Sequence, residues 1–173
     1  MATKTLVTYA SCTGFTVGVA ESIGRVLTES GLEVQVIPMK EVIDPSQYDA
    51  IIAGSAIQSS RWLPEAMEFI QSNQDIMQER PCAVFLVCMT LAMKNAEKYR
   101  SFVSDFLNPV RSIIHPISEG LFAGGLDINK VPSFWDRVQF RISVLLGVWK
   151  EGDHRDWEAI DTWGRSLVPL LVP

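Results

Sequence analysis

Near its start the chain reads Leu6-Val7-Thr8-Tyr9-Ala10, then Ser11-Cys12-Thr13-Gly14-Phe15-Thr16. The first five residues form a continuous apolar and β-branched run, expected of a central strand of a parallel sheet. The hydroxyl-rich turn that follows leads into a helix expected over 16–30, with Val17, Ala20, Ile23, Gly24 and Leu27 at three-and-four spacing. Such a turn aims small hydroxyls, backbone N–H groups and the positive end of a helix dipole at one point, an anion site best suited to a phosphate. Read alone, the stretch fits a capped tight turn equally well, because Ser and Thr are common caps.

Working outward, further strands are expected over 33–39, 49–54, 82–89 and 120–126, with the first at 5–10. Helices are expected over 64–76, opened by Pro64, over 96–107 and over 156–170. This alternation predicts an α/β fold with right-handed crossovers and helices on both faces of a parallel sheet. The 173 residues fit one domain, residues 1–173, with an insertion at about 127–153 between the fifth strand and its helix.

Composition narrows the function. The chain is 47% apolar and 20% charged, with a net charge of −5, which argues against a general nucleic-acid binder. Cys12, Cys82 and Cys88 have no paired spacing, which fits reduced thiols in a cytoplasmic protein. His115 and His154 stand apart from the cysteines, so no metal site is expected. No apolar run reaches the roughly 20 residues needed to cross a bilayer.

In an open parallel sheet, ligands bind beyond the carboxyl ends of the strands. Three strand exits suit that role: 11–16, the small-residue loop 55–62 ending in Trp62, and 89–95. A flat, uncharged ring could lie between the second and third, its phosphate in the first. The first exit lacks the lysine of a triphosphate loop and the repeated glycines of a dinucleotide loop, so a single phosphate fits best.

Ser11-x-Thr13-Gly14-x-Thr16 after a first strand resembles the flavodoxin phosphate loop, and the order of elements is similar to the flavodoxin-like fold over nearly the whole chain. The likeness is closer to the flavodoxin-type, menaquinone-dependent protoporphyrinogen oxidases. It is carried by Ala53-Gly54-Ser55-Ala56-Ile57 with Trp62, Ala123-Gly124-Gly125-Leu126 and Phe134-Trp135-Asp136-Arg137. Those oxidases carry an acid where this chain has Thr13, so here the loop resembles ordinary flavodoxins more.

The resemblance implies a doubly wound five-stranded sheet of order 2-1-3-4-5 and FMN as cofactor. It implies that Ser11, Cys12, Thr13, Gly14, Phe15 and Thr16 hold the phosphate. Ala56, Ile57, Gln58 and Trp62 would line one side of the isoalloxazine, and Cys88, Met89, Thr90 and Leu91 the other. No catalytic acid or base is evident. The activity implied is an FMN oxidoreductase passing electrons between an organic donor, such as protoporphyrinogen, and a quinone-type acceptor. The alternative is an electron carrier that docks to redox partner proteins. A domain that has lost flavin and only binds partners is the third reading.

Phe134, Val138, Ile142, Leu145 and Trp149 follow helical spacing in the insertion, with Arg137 and Arg141 one turn apart and Lys130 and Lys150 flanking. A helix over 134–149 is expected to pack on its own domain. The readings set against this are docking to a partner and lying on an anionic membrane at the inner face of the cell. Separately, a homodimer is among the expected assemblies.

Overall fold

The structure is a computed structural model, and it describes residues 3–131 and 133–172. Five parallel strands form its centre: β1 (Lys4–Ala10), β2 (Glu33–Pro38), β3 (Ala50–Gln58), β5 (Cys82–Cys88) and β6 (Ser118–Ala123), in the order β2-β1-β3-β5-β6. A two-residue β4 (Arg61–Trp62) folds back antiparallel on β3. The expected doubly wound α/β sheet, five parallel strands in the order 2-1-3-4-5 when β4 is left out of the count, is therefore present.

Every residue of β5 is buried, because helices cover both sheet faces and leave no side for polar residues. On one face Leu6, Ile51, Val84 and Leu86 pack against Ala66 and Ile70 of α2 (Pro64–Ser72) and Met77 of α3 (Gln74–Glu79). On the other, Val7, Ile52, Phe85 and Phe122 meet Val19, Ile23 and Leu27 of α1 (Phe15–Glu29). Ile160 and Leu167 of α7 (Trp157–Leu171) complete that layer. The Ser22 hydroxyl, donating to Asp161 at 2.6 Å, joins α1 to α7.

Four elements differ from the sequence reading, the last of them the helix of the insertion. The helix expected over 64–76 breaks at Asn73, whose side-chain amide donates to the Phe69 carbonyl at 2.8 Å and competes with the backbone ladder. The helix expected over 96–107 is instead a string of short pieces. They include α4 (Arg100–Ser104) and α5 (Asn108–Arg111), the latter opened by Pro109, which lacks an N–H to continue an earlier turn. The fifth strand leaves the sheet after Ala123, and β7 (Gly125–Leu126) pairs antiparallel with β8 (Gly152–Asp153) to make the stem of the insertion.

That stem carries α6 (Phe134–Leu145), four residues shorter than expected. Ser133 accepts the Asp136 N–H at 3.3 Å at its start. Gly147, at φ +72°, turns the chain at its end, and the Val148 N–H returns to the Ser143 carbonyl.

Candidate functional site

The site lies at the carboxyl ends of β1, β3, β5 and β6, where the crossover direction reverses between neighbouring strands. Gly14 occupies the cap position of α1 at φ +89°, a left-handed conformation for which glycine has no steric cost. A Cβ there would meet nothing within 4 Å, so the backbone faces open space that a ligand can approach. Ser11 Oγ accepts the Gly14 N–H at 3.1 Å and closes the turn. No side chain caps α1, and no acidic residue stands in its first turn. The first N–H groups of this helix are therefore left to an outside anion.

A cavity of about 150 Å³ opens beside this turn. Cys12, Thr13, Phe15 and Thr16 line it from the first strand exit, Ala56, Ile57 and Gln58 from the second, and Met89 from the third. A second cavity of about 360 Å³ adjoins it and is lined by Ile57 to Ser60, Cys88, Met89 and Thr90. The two share Ile57, Gln58 and Met89, together with Asp136 and Phe140 of α6.

The 55–62 loop is more ordered than the sequence suggested. β3 extends to Gln58, and Ser59 and Ser60 turn the chain at φ 50° and 62° into a two-residue hairpin. Ser55 Oγ, wholly buried, accepts the Leu63 N–H at 3.1 Å and fixes its base. This hairpin explains why Trp62 is placed differently from the expectation. It pairs with Ile57 across the hairpin, is 5% exposed and packs in the core with Leu63 and Ala66, so it lines neither cavity. The aromatic rings lining the first cavity are Phe15 and Phe140 instead. Leu91 likewise lies elsewhere, in a cleft with Arg100, His154 and Trp163. Ser11 and Gly14 shape the turn without lining the cavity.

Residues that sequence reasoning missed come from the insertion, the β6 exit, the end of β5 and the turn after α4. Gly124, Gly125, Leu126, Val131 and Val87 join the first cavity, and Phe106, Gln139, Ser143 and Trp149 the second. Gly125 is required by close approach, since a Cβ would stand 2.1 Å from the Phe15 ring. Arg155, just past the stem, holds the start of α1. Its guanidinium donates to the Phe15 carbonyl at 3.0 Å, stacks over the Phe15 ring and binds both carboxylate oxygens of Asp153. That fork holds the Asp153 carboxyl below its ordinary range.

Cys12 Sγ sits 3.7 Å from Gln58 Oε1, joining the first and second exits. Partial burial, with Glu65 adding to it, pushes its thiol up, so Cys12 is neutral at pH 7 and adds no charge to the phosphate turn. The only charged side chain lining either cavity, among the described residues, is Asp136.

A doubly wound sheet with an uncapped, glycine-turned helix start facing a largely uncharged cavity defines a mononucleotide-binding α/β protein. The chain belongs to the flavodoxin-domain family, which matches it over residues 6–152. It is 22% identical to the protoporphyrinogen IX dehydrogenase (quinone) of Escherichia coli strain K12, over 96% of each chain. Among solved structures it is similar to a short-chain flavodoxin associated with a non-canonical PDU bacterial microcompartment, with a TM-score of 0.60 at 15% identity over 99% of this chain and 100% of the other. It is also similar to a C101S flavodoxin of Pseudomonas aeruginosa, with a TM-score of 0.57 at 13% identity over 97% and 98%. FMN, expected from the resemblance of the phosphate turn, is the cofactor of this family, and the cavity, hydroxyl-lined by Thr13 and Thr16 at the turn, fits it. The protein is a flavodoxin-like redox protein.

Proposed function

We propose that the chain is an FMN-dependent oxidoreductase passing electrons between a small organic donor and a quinone-type acceptor. Thr13, Thr16 and the first N–H groups of α1 would hold the phosphate. Ala56, Ile57, Gln58 and Met89 would flank the ring system. When bound, FMN supplies the two-electron chemistry, and the protein supplies orientation and a wall whose charge, among the described residues, is that of Asp136 alone.

The observation that carries this reading is the second cavity under α6. A carrier that docks to proteins needs only an exposed flavin edge, whereas this chain has a space of about 360 Å³, lined in part by α6, next to the first cavity. The likeness to a quinone-linked dehydrogenase supports a quinone as acceptor and protoporphyrinogen as one donor to try. The alternative, a flavodoxin-type electron carrier, predicts fast exchange with redox proteins and no turnover of small molecules.

The outward side of α6 fits a peripheral position on a membrane. Trp135, Leu145 and Leu146 are 78%, 86% and 74% exposed, and exposed Arg141 and Lys150 lie nearby. No helix among the described residues is long and apolar enough to cross a membrane. The deciding experiment is anaerobic reduction of the FMN-loaded protein by a donor panel, followed by menaquinone in anionic vesicles. Turnover with an organic donor and quinone supports the enzyme. Reduction only by ferredoxin-like proteins returns the chain to the carrier reading, and vesicle binding unchanged by Leu145→Glu removes the membrane contact.

A further inference from the structure

The second cavity has an unusual wall. Phe106, Phe140 and Trp149 give it flat apolar surface, Gln139 and Ser143 add neutral polar groups, and Asp136 adds one negative charge. Asp136 faces the first cavity as well, so the carboxylate stands on the partition between the two. Its backbone N–H is used by Ser133, but its carboxylate makes no hydrogen bond or ion pair with the described residues. The neighbouring Arg137 donates instead to the Val131 carbonyl at 2.6 Å. A half-buried carboxylate without a partner among the described residues is a standing acceptor, and a ligand N–H or O–H can satisfy it.

We propose that this cavity binds a neutral, flat aromatic ring bearing a ring N–H or O–H, and that Asp136 selects that ring over anionic and donor-free analogues. The stacking faces set the shape, and the carboxylate sets the charge. An anion of the same shape is rejected because its charge would lie against Asp136, the only charge on the wall among the described residues. The proposal rests on the oxidoreductase reading, for which it names the class of the organic donor, since a quinone has no ring N–H or O–H to give to the carboxylate. Asp136 is a specificity residue here, and the electron transfer itself asks nothing further of it.

The test uses the FMN-loaded protein and three redox-inert probes: 2-naphthol, 2-methoxynaphthalene and 2-naphthoate. Binding is followed by probe fluorescence, and FMN content is measured on each sample. In the wild-type protein 2-naphthol is expected to bind about tenfold tighter than either analogue, the size of one charge-assisted hydrogen bond. Asp136→Asn should narrow that preference to within about threefold and admit 2-naphthoate. Ser133→Ala weakens the start of α6 but keeps the carboxylate, and it should retain the wild-type order. Ser143→Phe fills only the second cavity, and it should abolish binding of all three probes while FMN is retained.

An unchanged preference in Asp136→Asn overturns the proposal, as does equal loss in Ser133→Ala or probe binding that survives Ser143→Phe. Failure to take up FMN, with probe discrimination intact, would overturn the FMN reading and leave the selectivity standing.

Discussion

Arg155→Ala tests how the insertion holds the phosphate turn. The guanidinium is 14% exposed and donates to the Phe15 carbonyl at 3.0 Å, a charge-assisted bond worth about 1.5 kcal/mol net. It lies 4.3 Å from the Trp157 ring and 5.1 Å from the Phe15 ring, and each stacking adds about 0.5–1 kcal/mol. Asp153 keeps 42% of its side chain exposed, so water screens that ion pair and it adds under about 1 kcal/mol. The total is about 3 kcal/mol, which lowers Tm by about 6–12 °C in a chain of this length. Because the clamp ends on the first residue of α1, FMN affinity should fall at least about threefold in parallel. Arg155→Lys keeps the charge but not the fork, and should recover about half of the Tm loss. Far-UV circular dichroism melts and FMN titration of the flavin-free protein read both effects. A variant with wild-type Tm and wild-type FMN affinity would refute the clamp.

Three further outcomes follow from the same contacts. The Ser22 hydroxyl, then Arg25, hold the Asp161 carboxyl below its ordinary range. Its stabilisation is therefore present above the unfolded value of about 3.9 and is lost as pH falls through the lowered folded value. Asp161→Asn should lower Tm at pH 7, with the gap to wild type closing toward pH 3. Thiol titration of the native protein should label Cys12 alone, since Cys82 is buried with its thiol pushed up to about 12 and Cys88 is buried too. Bound FMN should slow that labelling, and equal rates with and without FMN would place the cofactor elsewhere. Gly125→Ala should displace the Phe15 ring and weaken FMN binding about tenfold, measured by the same titration.

The sheet was legible because its strands are continuous apolar runs bounded by turns, as Cys82–Cys88 and Lys4–Ala10 show. The phosphate turn was legible because Gly14 and its hydroxyl neighbours serve local chemistry that needs no distant partner. Trp62 was not, because the Ser59-Ser60 turn that carries it into the core has none of the Asn-Gly signal of such hairpins.

The insertion misled the helical-stripe argument most. Phe134, Ile142 and Leu145, a stripe expected to pack on the domain unless a partner or a membrane took it, are 68%, 52% and 86% exposed. The side of α6 that faces the cavities carries Asp136, Gln139, Phe140 and Ser143, a mixture with no periodic signal. Periodicity reports an apolar face; it does not report whether that face meets the protein's own core. Arg155 was invisible for a different reason, since its partner Phe15 lies 140 residues away.

The central claim is that the turn at 11–16 holds the phosphate of FMN. It is tested most directly by titrating flavin-free protein with FMN and with riboflavin, which lacks the phosphate. The account predicts one FMN per chain, with riboflavin bound at least about a hundredfold more weakly for loss of its charge-assisted hydrogen bonds. Equal affinity for the two flavins, or no binding of either, would contradict it.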